Sequence, residues 1–88
     1  MNIGIVTTWF ERGAAYVSKA YVDTLSDRNR VYVYARGGEE YATEDPAWDL
    51  EYVTWGKRVP GPLTRVDWVE FSEWLAESDV DIVIFSEL

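Results

Sequence analysis

Two apolar stretches decide the fold: NIGIVT at residues 2–7 and VYVYA at residues 31–35. The first is apolar on both faces, which is typical of a central parallel strand covered by helices. The second is rich in the β-branched and aromatic residues that favour strands. Between them, residues 14–27 predict a helix whose inward face carries Val17, Ala20, Tyr21, Thr24 and Leu25. A strand, a helix and a strand within 35 residues indicate a βαβ unit.

The remaining chain predicts two more strands and one more helix. After a long loop at residues 36–49, with one helical turn at 46–49, residues 50–55 predict a third strand. The Pro60-Gly61-Pro62 segment excludes regular structure. A helix then follows Asp67, an N-cap with Glu70 at the capping-box spacing, and extends to about residue 77. Residues 79–85 predict the fourth and most apolar strand.

This β-α-β-β-α-β order predicts a three-layer, Rossmann-like α/β fold with a mostly parallel sheet in strand order 3-2-1-4. Right-handed crossovers would place the two helices on opposite faces. We expect strand three to be parallel, although the helix-free connection leaves an antiparallel hairpin open. Gly4, inside the first strand, marks a close approach by another element. Trp68 and Trp74 have helical spacing and are expected in the core.

Composition limits the chemistry. The 88 residues carry 8 Lys+Arg and 16 Asp+Glu, for a net charge of −8, with no His and no Cys. There is thus no imidazole acid/base, no His-bound metal and no thiolate site. The acidic balance argues against nucleic acid as a partner, and no apolar run is long enough to span a membrane, so we expect a cytoplasmic protein. Residues 1–36 nevertheless carry a net charge of +2, against −10 for residues 37–88.

We interpret residues 1–88 as one Rossmann-like part-domain. The last predicted strand is followed by only three residues, although so apolar a strand normally lies inside a sheet. An exposed edge of this kind promotes aggregation. Either something pairs with it, such as a second copy in a dimer, or the chain is an N-terminal fragment of a longer protein, which is the reading we favour.

Ligands of open parallel sheets bind beyond the carboxyl ends of the strands, where the chain order reverses. For order 3-2-1-4 this point lies between strands one and four. The candidate binding residues that follow the strands are Thr8, Trp9, Arg12, Gly13, Arg36 and Glu87. We predict no catalytic residue and no metal site. Asp79 and Asp81 form an Asp-x-Asp pair, but they lie at the amino end of their strand and are read as structural.

Each candidate also has a purely structural interpretation. Gly13 permits either a tight turn or the approach of an anion or sugar hydroxyl to a helix N-terminus. Trp9 could stack on a sugar ring, although packing is the commoner role of such a residue. Arg12 and Arg36 could bind a phosphate or carboxylate, or could be solvated. Glu87 could bind hydroxyls, act as a base, or have no role. The loop lacks the Gly-x-Gly-x-x-Gly and Gly-Lys-Ser/Thr motifs, so neither a dinucleotide site nor a P-loop is indicated.

Several segments together resemble the start of GT-B glycosyltransferases, most closely the group with the retaining family-four enzymes. They are MNIGIVT at residues 1–7, a loop ending at Gly13 before an amphipathic helix, VYVYARG at 31–37 and VDIVIFSE at 80–87. The pattern covers nearly the whole chain, and its elements are moderately specific. Where the family often has adjacent glycines before the first helix, this sequence has Gly13-Ala14-Ala15.

The resemblance implies an acceptor-side domain fragment that is not active alone. In that family the N-terminal domain receives the acceptor and the C-terminal domain holds the nucleotide sugar. This chain would therefore hold no cofactor itself, and the parent protein would use a nucleotide sugar and a sugar-containing acceptor. The alternative is a stand-alone Rossmann-like binding or interaction module. A receiver-like signalling domain is disfavoured because Thr7-Thr8-Trp9, rather than an acidic pair, follows the first strand.

Overall fold

A computed structural model of the protein describes residues 1–7, 9, 13–36, 45–57, 59–60 and 65–86, the side chains of 13–15 and 86 excepted. Its elements in chain order are β1 (Asn2–Thr7), α1 (Gly13–Leu25), β2 (Arg30–Ala35), β3 (Val53–Trp55), α2 (Trp68–Ser78) and β4 (Ile82–Ser86). The predicted β-α-β-β-α-β order is confirmed.

The four described strands form one sheet in the order β3-β2-β1-β4, and every neighbouring pair is parallel. The register places Ile5 of β1 beside Val33 of β2 and Ile84 of β4. The predicted fold class and strand order are confirmed. Strand β3 pairs in parallel with β2, so the alternative of an antiparallel hairpin is excluded.

The sheet carries a separate core on each face. Because successive side chains of a strand point to opposite faces, Ile3 and Ile5 of β1 pack on the side of Val22 from α1. Val6 packs on the other side, with Phe71 and Trp74 from α2. The two helices therefore lie on opposite faces, which gives the three predicted layers.

Gly4 allows α2 to approach β1 closely, as the sequence predicted. A Cβ atom at this position would lie 2.7 Å from Cη2 of Trp74 and 3.1 Å from Cγ1 of Val80. The Trp74 ring thus occupies the space that any side chain on this strand residue would need. The absence of a side chain sets the spacing between the sheet and the helix.

The inward face of α1 differs from the prediction. Ser18 and Val22 are buried, with Leu25 partly buried, whereas Val17 and Tyr21 are exposed by 39% and 52%. The spacing of residues 18, 22 and 25 is also that of one helix face, but its first member is polar. The hydroxyl of Ser18 lies 2.6 Å from that of Thr7 in β1. A hydrogen bond to the strand therefore allows Ser18 to be buried. A search for apolar residues at helical spacing cannot identify a buried polar residue of this kind.

Helix α2 begins as predicted, at the N-cap Asp67, whose Oδ1 accepts a hydrogen bond from the backbone N–H of Glu70 at 3.0 Å. Trp74 is buried, but the expectation of a buried Trp68 is wrong, because this side chain is 68% exposed. Trp68 is the first residue of the helix, and its ring packs edge-on against Phe71 at 5.7 Å rather than over a strand.

The amino ends of β1 and β4 are held together by Asp81, which accepts a hydrogen bond from the backbone N–H of Asn2 at 2.8 Å. Asp79 caps α2 in the left-handed conformation, with φ of 50°. Both acids therefore serve the structural role that was predicted, and β4 begins three residues later than expected.

Candidate ligand site at the carboxyl edge of the sheet

The parallel sheet brings the carboxyl ends of all its strands to one edge. Thr7, the last residue of β1, pairs with Ala35 of β2 on one side and with Ser86 of β4 on the other. Ala35 in turn pairs with Trp55, the last residue of β3. Ligands of such sheets bind at this edge, so the candidate residues are judged by their placement here.

Three of the six candidate residues, Thr8, Arg12 and Glu87, lie outside the described residues. Gly13 is the first residue of α1, which begins one residue earlier than the sequence predicted. Trp9 and Arg36 are described with their side chains, and both are buried.

Trp9 is part of the hydrophobic core on the α1 face. It has 0% exposure, and its indole N–H donates a hydrogen bond to the backbone carbonyl of Trp48 at 2.5 Å. Its ring meets those of Trp48 and Tyr52 edge-on, with centroids 5.3 and 6.4 Å apart. Trp9 therefore has the packing role and offers no free ring face to a sugar in this structure.

Arg36 directly continues β2 at the carboxyl edge. Its backbone N–H donates a hydrogen bond to the carbonyl of Thr7 at 2.7 Å, which extends the pairing of β2 with β1 by one residue. Its side chain turns toward β3, where Nη1 donates to the backbone carbonyl of Lys57 at 2.9 Å. The guanidinium thus lies beyond the ends of β2 and β3, beside the predicted switch point between β1 and β4.

Burial makes this guanidinium unusual. Arg36 is only 3% exposed, and within the described ranges no carboxylate forms an ion pair with it. Its Nε is buried and has no hydrogen-bond partner there. Removing a charge from water is costly unless it is paired and hydrogen-bonded, so a single backbone carbonyl leaves the group poorly compensated.

A hydrogen-bond network on the α2 face is joined to Arg36 through Lys57. Glu70 of α2 accepts two hydrogen bonds on Oε1, from the Tyr34 hydroxyl at 2.5 Å and from the backbone N–H of Lys57 at 2.7 Å. Sequence spacing placed Glu70 in a capping box, but its carboxylate instead joins α2 to β2 and to the segment after β3. The Lys57 ammonium lies 3.8 Å from Asp67, and because this lysine is largely exposed the ion pair adds little stability.

Electrostatics keep the Tyr34 hydroxyl neutral. Burial, followed by the hydrogen bond to Glu70 and the charge of that carboxylate, raises the pKa of Tyr34 far above that of an ordinary phenol. The positive charge of Arg36 opposes this and lowers the same pKa. Arg36 therefore lies close enough to Tyr34 for its charge to act on that hydroxyl.

Gly56 fixes the path of the chain through this network. Its N–H donates to the carbonyl of Ala35 at 2.9 Å, and a Cβ atom here would lie 2.5 Å from Cε1 of Tyr34. The backbone thus rests directly on the tyrosine ring and carries Lys57 to both Glu70 and Arg36. The predicted binding residues did not include Tyr34, Lys57 or Glu70, and the sequence signal for this network was Gly56, the glycine that follows β3.

This network combines three polar groups of different charge. The tyrosine is neutral, the glutamate already accepts two hydrogen bonds, and the arginine provides a fixed positive charge. Among the described residues no group of three acidic side chains could hold a metal ion. None of the described helices combines the length and the hydrophobicity needed to cross a bilayer.

Comparison with known proteins gives no match: no family model, no curated protein and no solved structure corresponds to this chain.

Proposed function

We propose that the chain is the N-terminal, acceptor-side part of a cytoplasmic glycosyltransferase that transfers a sugar from a nucleotide-sugar donor. In this proposal the acceptor binds at the carboxyl edge of the sheet, and a second Rossmann-like domain holds the donor. The chain is inactive alone, because it would supply contacts to only one of the two reactants that must be held together.

The four-stranded parallel sheet in the order β3-β2-β1-β4 is the observation that carries this proposal. It is the arrangement implied by the resemblance of residues 1–7, 31–37 and 80–87 to the start of GT-B enzymes. A fold of this type serves many functions, so the sheet alone does not select transfer of a sugar. The resemblance selects it, and the buried Arg36 beside the expected acceptor position is consistent with it.

The exposed side of β4 supports the proposal that more protein packs against this sheet. Ile82, Ile84 and Phe85 are 45%, 39% and 43% exposed, although they belong to the most apolar strand. An exposed apolar edge strand readily pairs with another chain or segment. In a larger glycosyltransferase domain, further strands and helices would cover these residues.

The reading frame of the gene tests the proposal directly. We expect it to continue past Leu88 for long enough to complete this domain and encode a second one, and the full-length protein to release nucleotide from a nucleotide sugar when supplied with acceptor. Calorimetry of the 88-residue chain with UDP-glucose should show no micromolar affinity, because the second domain would hold the nucleotide. A frame that stops at Leu88, or micromolar affinity of this chain for UDP-glucose, would overturn the proposal.

A second candidate function is a stand-alone binding module that dimerises through the β4 edge. The same exposed residues, Ile82, Ile84 and Phe85, favour it. Sedimentation velocity separates the two proposals when combined with the reading frame. A stable dimer together with a stop codon after Leu88 supports the module, whereas a monomer in a frame that continues supports the glycosyltransferase part.

A further inference from the structure

We infer that Arg36 anchors an anion-binding subsite at the carboxyl edge of the sheet, and that the acceptor binds it through a phosphate or carboxylate group. The substrate class rests on the proposed function, whereas the subsite itself rests on the contacts of Arg36 alone.

The buried guanidinium of Arg36 has too few hydrogen-bond partners among the described residues. A guanidinium carries five N–H donors and no acceptor. In the described part of the chain, one of them reaches the carbonyl of Lys57, and the buried Nε has none. A bound anion would supply both the missing acceptor and the missing negative charge.

The carboxylates of Glu70 and Asp67 in the network beside Arg36 have other partners. Glu70 accepts hydrogen bonds from the Tyr34 hydroxyl and the Lys57 N–H, and Asp67 caps α2 through the N–H of Glu70. Neither forms an ion pair with Arg36. Both are held in place by contacts that a rotation toward the guanidinium would break, so they are poorly placed to compensate it.

The shape of the guanidinium also suits an anion. Because Nη1 donates to Lys57, the side of the guanidinium formed by Nε and Nη2 contains the atom without a described partner. Two parallel N–H bonds from one side of a guanidinium match the oxygens of a phosphate or carboxylate. Such charge-assisted bonds are stronger where water is excluded, as it is around a side chain with 3% exposure.

A titration of the 15N-labelled chain with inorganic phosphate tests the inference. The Nε–H signal of Arg36 is followed by NMR while sodium chloride keeps the ionic strength constant. We expect a saturable shift of this signal and no comparable shift at Arg30, an exposed arginine at the opposite end of the same strand. A shift of equal size at both arginines, or no shift at Arg36, would overturn the subsite.

Variants provide the matched comparison. Arg36→Gln should abolish phosphate binding, and Arg36→Lys, which keeps the charge but loses the planar pair of donors, should weaken it about tenfold or more. Arg30→Gln should bind as the wild type does. If Arg36→Gln does not fold, Arg36→Lys and the wild-type Nε–H titration still test whether phosphate binds at Arg36. Unchanged phosphate affinity in folded Arg36→Lys and Arg36→Gln would refute the inference.

Acetate in place of phosphate distinguishes the two anion classes, since a carboxylate subsite should respond to both and a phosphate subsite to phosphate alone. Binding of either anion by the chain is measured independently of the length of the reading frame, so the subsite and the glycosyltransferase proposal can fail separately. If neither anion binds, the subsite is refuted while a glycosyltransferase with a neutral acceptor stands. If phosphate binds but the frame stops at Leu88, the subsite is supported and the glycosyltransferase proposal fails.

Discussion

Gly56→Ala should destabilise the protein, because the added methyl group would meet a side chain that has no room to move. The new Cβ would lie 2.5 Å from Cε1, 2.8 Å from Cζ and 3.0 Å from Oη of Tyr34. That ring has 0% exposure and packs against Phe71 and Trp74, with centroids 5.4 and 5.2 Å away. The clash therefore falls on a ring that is held on its other sides.

The magnitude follows from two opposing effects. Alanine restricts the unfolded chain more than glycine does, which alone would stabilise the fold by about 0.4–1 kcal/mol. Forcing an extra carbon into a packed site costs about 1–3 kcal/mol. We expect the clash to dominate at these distances, with a net loss of about 1–2 kcal/mol. For a domain of this size each kcal/mol lowers Tm by roughly 4–8 °C.

Urea unfolding followed by tryptophan fluorescence measures this loss, and a double-mutant cycle identifies its cause. Tyr34→Leu removes the ring atoms nearest the new methyl group. Gly56→Ala should therefore cost less in the Tyr34→Leu background than in the wild type. The reasoning is refuted if Gly56→Ala leaves the free energy of unfolding unchanged or raises it, or if its cost is the same in both backgrounds.

Three further predictions concern α2 and its network. Trp74→Ala should lower the free energy of unfolding by about 3–5 kcal/mol, whereas Trp68→Ala should change it by no more than about 0.5 kcal/mol, because the Trp74 ring is buried and the Trp68 ring is exposed. Equal losses for the two variants in urea unfolding would contradict this. Asp67→Ala should cost about 1 kcal/mol through the lost cap and Asp67→Asn much less. The hydrogen bond from the Glu70 N–H lowers the pKa of Asp67, so the stabilising effect of the Asp67 charge is present above the ordinary carboxyl pKa and is lost as pH falls. The difference in free energy of unfolding between wild type and Asp67→Ala should therefore narrow in acid. A difference that stays constant with pH would contradict this. Because the pKa of Tyr34 is raised, the neutral hydroxyl stabilises the fold below about pH 10, and this contribution is lost progressively above it. Wild type should therefore lose more free energy of unfolding than Tyr34→Phe as the pH rises into the alkaline range. Parallel curves of unfolding free energy against pH for the two proteins would contradict this.

The sheet could be predicted from the sequence because its strands are encoded locally. Residues 2–7, 31–35 and 79–85 are short segments rich in apolar residues, and the helical connections are long enough to allow parallel pairing of β1 with β2 and β4. The N-cap at Asp67 and the close approach at Gly4 were also readable, since each depends on one residue type at one position. The inward face of α1 could not be predicted from the sequence, because Ser18 is buried there through a hydrogen bond to Thr7.

The candidate site was only partly predictable. Arg36 was identified by its place after the second strand, which needs no knowledge of side chains. Its burial, and the network of Tyr34, Lys57 and Glu70 beside it, depend on contacts between residues 13 to 36 positions apart in the chain. No local pattern encodes such contacts, because they arise only after α2 has packed on the sheet.

We propose that ligand binds at the carboxyl edge of the sheet, around the end of β2. Mapping backbone amide shifts of the 15N-labelled chain with glucose 1-phosphate, which combines sugar hydroxyls with a phosphate, tests it most directly. We expect saturable shifts at Thr7, Arg36 and Lys57, at the carboxyl ends of β1, β2 and β3. Shifts confined to the amino edge, at Asn2 and Arg30, or an unchanged spectrum at saturating ligand, would contradict it.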